Sequence, residues 1–422
     1  MLDINFIRDQ SDRVKKGMLN KGEKSTDIVD KVLDKDEEWR KLVTEVGRLR
    51  ADSNSRAKQI GALMGQGKKD AAQLIINETG QTKEKIKELE DVLDKLADER
   101  DSLLYQIPNV PDDSVPVGAT ENDNKVLSEW GVKREKDWLK PHWELASDKK
   151  WIDFERGSKV TGSGFPFYIG HMARLQRSLI NFFLNEAVNS GFVEIQAPYF
   201  VNEDSARGTG QIPDKEDMMY TMPRDGFFAI PTAEVPVTNF HRDEIFELDQ
   251  LPVYYTAYTP CWRREAGSYG ADVRGLNRLH QFDKVELVKF VHPDHSDAEL
   301  ESLREYAETL LQKLELPYRT LLMCTGDMGF TQTKKYDLEV WSPGQKRWLE
   351  VSSCSNFGSF QARRMQVRFR NEKGKTEIMH TLNGSGLALP RIVAAIIETY
   401  QTEAGDMKVP NVLVPYMERD KI

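Results

Sequence analysis

Arg263 and Glu265 stand one residue apart near the start of Cys261–Glu286, a stretch that reads CWRREAGSYGADVRGLNRLHQFDKVE. Cations, an aromatic ring and carboxylates alternate along it, and Gly267, Gly270 and Gly275 punctuate a basic middle. An arginine fork suits phosphate, the face of Phe282 suits a base, and a carboxylate suits an exocyclic amine, so the chemistry on offer is that of holding a nucleotide. Three other clusters carry comparable groups. Thr232, Ala233 and Glu234 are fixed between Pro231 and Pro236. Glu350-Val351-Ser352-Ser353 is followed by Gln361-Ala362-Arg363-Arg364. In an ideal strand Glu350 and Ser352 share one face and Ser353 points to the other; a carboxylate with a nearby hydroxyl suits Mg²⁺, which prefers hard oxygen ligands. Last, Asn383–Arg391 is a Gly-rich entry to an apolar helix, with Arg391 placed to meet a phosphate. Each cluster also has an ordinary structural explanation: a surface turn, a polar strand end, a helix entry.

The elements that must carry these groups are readable from the flanks. Val253–Tyr258 and Val285–Val291 are apolar and β-prone, which predicts two antiparallel strands joined by a long loop. Leu175, Leu179, Phe182, Phe183 and Ala187 mark a helix over 173–189 stopped by Gly191, and Phe192–Phe200 then reads as a strand containing Pro198. Further helices are expected over 296–315 and 388–402. Strand pairs with interspersed helices predict an α+β domain on a mostly antiparallel sheet, over residues 136–422. Residues 109–135 are rich in Pro, Asp and Asn and read as a linker.

Within an N-terminal domain of residues 1–108, residues 28–107 differ from everything after them. Trp39, Leu42, Val46, Leu49, Ser53, Arg56, Ile60 and Leu63 follow alternating threes and fours, as do Ala72, Ile75, Thr79, Thr82, Ile86, Leu89, Leu93, Leu96, Arg100, Leu103 and Ile107. Gly65-Gln66-Gly67 separates the two runs. The pattern predicts an antiparallel coiled-coil hairpin over about 28–107, each helix roughly 55 Å long. The seam turns polar at Ser53 and Arg56 on one run and at Thr79 and Thr82 on the other. Residues 48–69 hold Arg48, Arg50, Arg56, Lys58, Lys68 and Lys69 against Asp52 alone. Charge runs usually mean a solvated face, but concentration near a projecting tip favours a phosphate-backbone contact.

The 422 residues carry a formal charge of -9, so a nucleic-acid partner would have to use such a local patch. Cys261, Cys324 and Cys354 are far apart without histidine at ligand spacing, which argues against zinc and disulfides and fits a reducing compartment. No apolar run approaches the ~18 residues of a membrane span, and early acids argue against a signal peptide, so cytoplasm is expected. Neither a G-x-x-x-x-G-K-[ST] loop nor a strand-flanked G-x-G-x-x-G is present, which disfavours P-loop and Rossmann nucleotide sites.

The chain resembles the bacterial-type seryl-tRNA synthetases, class II aminoacyl-tRNA synthetases, along nearly its whole length. Arg263-Arg264-Glu265, with the loop to Phe282–Glu286, resembles class II motif 2; Asn383–Arg391 resembles motif 3; the helix ending near Ser190, with Pro198 beyond it, resembles the dimer-forming motif 1. Gly208-Thr209-Gly210-Gln211-Ile212-Pro213, Pro231–Pro236, Ser352–Asn356, Phe360–Arg364 and the N-terminal hairpin make the resemblance specifically seryl. It implies activation of serine with ATP to seryl-adenylate and transfer to the 3′ end of tRNA(Ser), and of tRNA(Sec). Arg263 and Arg391 would act in catalysis; Arg263, Arg264, Glu265, Phe282, Glu350, Val351, Ser352, Ser353 and Arg391 would bind ATP; Glu350 and Ser353 would bind Mg²⁺. Thr232, Ala233, Glu234, Glu286 and Ser385 would bind serine. Arg48, Arg50, Arg56 and Lys58 would contact tRNA, and the chain would be a homodimer. The alternative is a non-catalytic, synthetase-like RNA-binding protein, which degenerate motifs would favour; none is seen. Five positions depart from the common pattern: Trp262, Phe357-Gly358-Ser359, and Pro390, the last acceptable only within a first helical turn.

Overall fold

The computed structural model describes residues 1–214, 217–265 and 274–422. It divides into two compact units, one holding residues 1–19 and 23–108, the other 20–22 and 109–422.

The first unit is dominated by two long helices, α1 (Asp27–Gly65) and α2 (Lys69–Leu104), which pack along each other. Gly67, at φ +76°, makes the turn between them, a left-handed conformation that costs glycine nothing. Every heptad position named above is at least partly shielded, while most residues between them are exposed. The polar part of the seam is packed too. Ser53 and Thr79 are buried, and the Thr79 hydroxyl donates to the Ile75 carbonyl at 2.7 Å. Such back-bonding one turn away lets a hydroxyl sit in a seam without an unmet donor. Near the base, Asp36 is buried and accepts from Arg40 Nε at 2.9 Å, with Arg8 at 3.5 Å and Arg100 at 3.8 Å; the Arg100 guanidinium lies over the Trp39 ring. One carboxylate is thus shared by arginines from three helical segments.

The second unit is built on an eight-stranded sheet. In chain order its strands are β1 (Lys125–Trp130), β2 (Val193–Glu194), β3 (Val253–Trp262), β4 (Gln281–Val291), β5 (Tyr318–Leu322), β6 (Lys334–Ser342), β7 (Arg347–Asn356) and β8 (His380–Ala388). They lie in the order β1-β5-β6-β7-β8-β4-β3-β2, antiparallel throughout except for β2 beside β3. The helices that matter to the site are α3 (His142–Asp148), α4 (His171–Asn189), α5 (Glu234–Thr238), α6 (Ser296–Lys313), α7 (Phe360–Met365) and α8 (Leu389–Tyr400). β4 is buried from Lys284 to Val291. Its Val285, Leu287 and Val291 enter the core shared with α4, α6 and α8, and its Val288 and Phe290 enter a second core on the opposite face. Lys284 and Glu286 fall in the alternation of Val288 and Phe290, so charged groups occupy one face of a central strand.

Two expectations are overturned. Residues 109–135 are not a linker: β1 pairs with β5 as an edge strand, and Val115 is buried with Leu321, Met323 and Met328. All six residues of β1 are exposed, so it offers no hydrophobic alternation to read. Phe192–Phe200 is not one strand: Val193–Glu194 joins the large sheet, whereas Phe200–Val201 pairs with Phe228 and Ala229 in a separate one. Pro198, which cannot donate to a ladder, lies between them.

The Asp36 cluster yields a test. Asp36→Asn leaves the flanking arginines without their buried counter-charge and should lower the stability of the helical unit by about 1–3 kcal/mol. Urea unfolding of the full chain, followed by helical circular dichroism, should show an earlier loss of the helical signal than in the parent.

Candidate active site

Glu234 and Glu286 meet in the middle of the sheet, both buried. Glu286 comes from β4, and Glu234 is brought to it by α5, which the Pro231–Pro236 segment opens as a buried turn rather than a surface one. Asn383 of β8 bridges the two, its Nδ2 donating to Glu234 at 2.7 Å and to Glu286 at 3.2 Å. Gln361 of α7 donates to Glu234 at 2.6 Å and is itself held by the Thr381 hydroxyl. Lys284 lies 2.5 Å from Glu286 and donates to Thr232 Oγ1 at 2.8 Å. Thr232 Oγ1 also accepts from the Glu234 backbone N–H. Ala233 is fully buried behind this turn, and Ser385 stands opposite Glu286 in the β4–β8 register.

The charges do not balance locally. Among the described residues, two buried carboxylates face one ammonium, Lys284, with Arg263 the next cation acting on them. Burial, followed by the neighbouring Glu286, pushes the Glu234 carboxyl up to about 7 against the help of Gln361. Burial also raises Glu286, opposed by Lys284. Asn383 Oδ1 is buried without a hydrogen-bond partner among the described residues. An unmatched carboxylate beside a free carbonyl oxygen is a receptor for a small ammonium group.

The second half of the site adjoins it on the same strands. Arg263 follows β3; its guanidinium lies 5.1 Å from the centre of the Phe282 ring, and its Nε donates to the Pro231 carbonyl. Glu265, at φ +50°, pairs with Arg278 at 2.8 Å, and the exposed Arg264 pairs with Asp217 at 3.2 Å. Gly267 and Gly270 lie outside the described residues. Pro390 sits in the first turn of α8, where a proline costs no hydrogen bond, so Arg391 leaves the helix entry cleanly. Its Nε donates to the Asn277 carbonyl at 3.0 Å and its Nη1 to the Glu350 carbonyl at 2.7 Å.

Glu350 and Ser353 do not point to opposite faces as an ideal strand would have them. The β6–β7 register slips by one residue between Leu338↔Ser352 and Glu339↔Glu350, a bulge at Val351. The slip buries both Val351 and Ser352 and turns Ser353 to the side of Glu350, 3.1 Å away. The Ser353 hydroxyl lies closer to Asp337, at 2.7 Å, and Asp337 is paired with Lys335 at 3.0 Å. The Glu350 side chain is half-exposed, and against its partial desolvation Lys335 and then Arg391 hold the carboxyl down at about 2; burial and Glu350 together push the buried Asp337 up to about 7. An ionised carboxylate beside a hydroxyl whose proton is taken by Asp337 is a donor set of hard oxygens that fits Mg²⁺. The Ser352 hydroxyl is spent on the Ser385 carbonyl, which ties the two halves together.

Sequence reasoning passed over Lys284, Asn383, Gln361, Asp337 and Lys335 as site residues. Lys284 was visible as a cation in the alternation of a central strand, two residues before Glu286. Asp337 had no signal, because its place depends on the β6–β7 register. In the helical unit, Arg50 pairs with Glu90 at 2.5 Å and Arg56 with both Asp52 and Glu78. Arg48 and Lys58 have no ion-pair partner among the described residues. The basic face read from one helix is therefore partly neutralised by the other.

Residues 1–111 match a family model described as "Seryl-tRNA synthetase N-terminal domain", and residues 220–400 one described as "tRNA synthetase class II core domain (G, H, P, S and T)". The chain is 56% identical over 418 residues to the serine--tRNA ligase of Salinibacter ruber, covering 99% of this chain and 98% of that protein. It is 50% identical to that of Bacillus subtilis over 420 residues, with 99% and 98% covered. The crystal structure of the Pyrococcus horikoshii seryl-tRNA synthetase complexed with ATP superposes with a TM-score of 0.93 at 34% identity, over 100% of this chain and 99% of that one. With matches of this length and identity, the chain belongs to the seryl-tRNA synthetase family.

Proposed function

We propose that this chain is a serine–tRNA ligase that activates serine with ATP and transfers it to the 3′ end of tRNA(Ser), and of tRNA(Sec). The observation that carries the reading is the buried Glu234–Glu286 pair with a single lysine: it lacks one positive charge, which the serine ammonium supplies. Thr232, Ala233, Glu234, Glu286 and Ser385 line the serine pocket, with Asn383 offering its free carbonyl oxygen. A site that hydrogen-bonds a substrate hydroxyl rejects the analogue lacking it by roughly 10⁴-fold or more, enough to exclude alanine.

In the first step a serine carboxylate oxygen attacks the α-phosphorus of ATP, and the bond to pyrophosphate breaks. The residues do this by positioning and charge stabilisation, with no general base required. Arg263 binds the α-phosphate; its seat between Phe282 and the Pro231 carbonyl places it beside the serine pocket. Glu265 and Phe282 hold the adenine, and Arg264 and Arg391 take the outer phosphates. Glu350 and Ser353, set by the bulge at Val351 and by Ser352, would hold Mg²⁺, which screens phosphate charge when bound. In the second step a ribose hydroxyl of the terminal adenosine attacks the seryl carbonyl, and AMP leaves.

Arg48, Arg50, Arg56 and Lys58 meet the phosphate backbone of the tRNA. The exposed apolar Val188, Val193 and Phe200, on and after α4, support a homodimer through this region. Three buried thiols suit the reducing cytoplasm.

Three measurements check this reading. Serine should drive ATP–pyrophosphate exchange and alanine and threonine should not; equal exchange with all three would end it. Because Glu234 is ionised above about pH 7 and protonated below, the serine ammonium loses its counter-charge on acidification: KM for serine should rise about tenfold from pH 8 to pH 6, and Glu234→Gln should raise KM and flatten that profile. The double reversal Arg48→Glu/Lys58→Glu should weaken tRNA charging about tenfold or more at physiological salt and leave exchange unchanged.

A further inference from the structure

We propose that His142, which touches neither serine nor ATP, is a positioning residue for Arg391, acting through the backbone stem that leads back from the loop into β4. The inference rests on the reading of Arg391 as an ATP-phosphate ligand.

His142 opens α3 and is completely buried. Its backbone N–H and its Nδ1 both reach the same oxygen of Glu398, at 2.9 and 2.8 Å. Glu398 is equally buried, two turns along α8 from Arg391. Its other oxygen accepts from the Gly344 N–H at 3.0 Å and from the Ser342 hydroxyl. A carboxylate so occupied fixes the proton of the imidazole on Nδ1, which leaves Nε2 a bare acceptor. That acceptor faces the Leu276 N–H at 2.8 Å.

The next residue is Asn277, and its carbonyl is one of the two that orient Arg391, accepting from Nε at 3.0 Å while the Glu350 carbonyl accepts from Nη1. The Asn277 side chain donates to Gln345 at 2.9 Å, and Gln345 donates back to Glu398 at 3.0 Å. The stem is therefore held from both sides by groups that converge on one buried carboxylate of the helix whose entry bears Arg391. The fit is close. A Cβ on Gly275, at φ +67°, would lie 2.3 Å from His142 Nε2 and 3.0 Å from the Trp143 ring. Arg274 lies over that same ring at 4.9 Å. The backbone can reach the imidazole only because residue 275 has no side chain.

A purely structural role for His142 would be served by any group that fills the space and pairs with Glu398. The positioning role needs an acceptor at Nε2. Two substitutions separate these roles: the amide nitrogen of H142N falls near the place of Nδ1 and keeps the Glu398 contact, whereas the amide oxygen of H142Q falls near the place of Nε2 and keeps the Leu276 contact. ATP affinity of the full chain is measured by calorimetry without serine or tRNA, with thermal midpoints alongside. H142N should weaken ATP binding about tenfold, the cost of one unmet buried N–H, while H142Q stays within about twofold of the parent. Equal ATP affinities for the two variants would overturn the proposal. Gln345→Ala, which removes only the outer brace, keeps the question decidable if H142N does not fold: it should weaken ATP binding about threefold in the parent and not at all in an Arg391→Ala background, and an equal loss in both backgrounds would overturn the proposal. Because the readout is ATP alone, a parent that binds ATP without activating serine would overturn the functional reading and leave this comparison intact.

Discussion

Glu234 and Glu286 lie side by side where the large sheet is buried on both faces, and much of the second unit is arranged so that they can stay there. Removing a carboxylate from water costs several kcal/mol unless charge and hydrogen bonds replace the solvent. Each neighbouring element contributes part of that replacement: Lys284 from β4, Asn383 from β8, Gln361 from α7 with Thr381 behind it, and Thr232 from the turn that opens α5. Replacing any one of these elements by a generic apolar packing would leave a buried donor or acceptor unmet. This polar network fixes the register of β4 against β8 and the seat of α5 and α7 more narrowly than hydrophobic burial alone, which tolerates exchange among side chains of similar size.

The same strands carry the second half of the site, and a defect in the ladder makes it possible. Without the bulge at Val351, Glu350 and Ser353 would face opposite sides of β7. With it, Glu350, Ser353 and Asp337 share one side, and the Glu350 carbonyl is turned to Arg391. Bulges re-aim side chains where function needs them, at the expense of one ladder hydrogen bond. The Ser352 hydroxyl on the Ser385 carbonyl then ties this side to the strand that bears Asn383. The serine-binding and phosphate-binding halves of the proposed site are thus one continuous hydrogen-bonded structure.

What the sequence disclosed follows from this physics. The helical seam was legible residue by residue, because a heptad pattern depends only on neighbours three and four apart along one chain. The hairpin β3–β4 was legible because aromatic and β-branched residues flank both sides of its loop. The edge strand β1 was not, since it buries no face, and the break at Pro198 was not, since the two short strands around it belong to different sheets. The bulge could not be seen either: it is a relation between β6 and β7, and the face of Ser353 depends on it. Lys284 and Asn383 lay inside segments already singled out, yet charge pairing across strands gives no signal along a single one. The pairing of Arg50 and Arg56 with acids of α2 is the same limitation in the helical unit.

The pocket is also the place where the folded chain is least satisfied. Glu234 titrates near pH 7 because burial disfavours its charge and ionising it puts two negative charges beside one lysine, and Asn383 Oδ1 meets no donor among the described residues. A chain selected for stability alone would fill or neutralise this spot, and a leucine pair would do so cheaply. Retaining the deficit makes sense if a ligand removes it. A small ammonium supplies the missing charge, favours the ionised form of Glu234 and gives the free oxygen a donor. Its affinity therefore draws on destabilisation already present in the unliganded protein, and the rigid frame around the pocket keeps that destabilisation from relaxing by collapse.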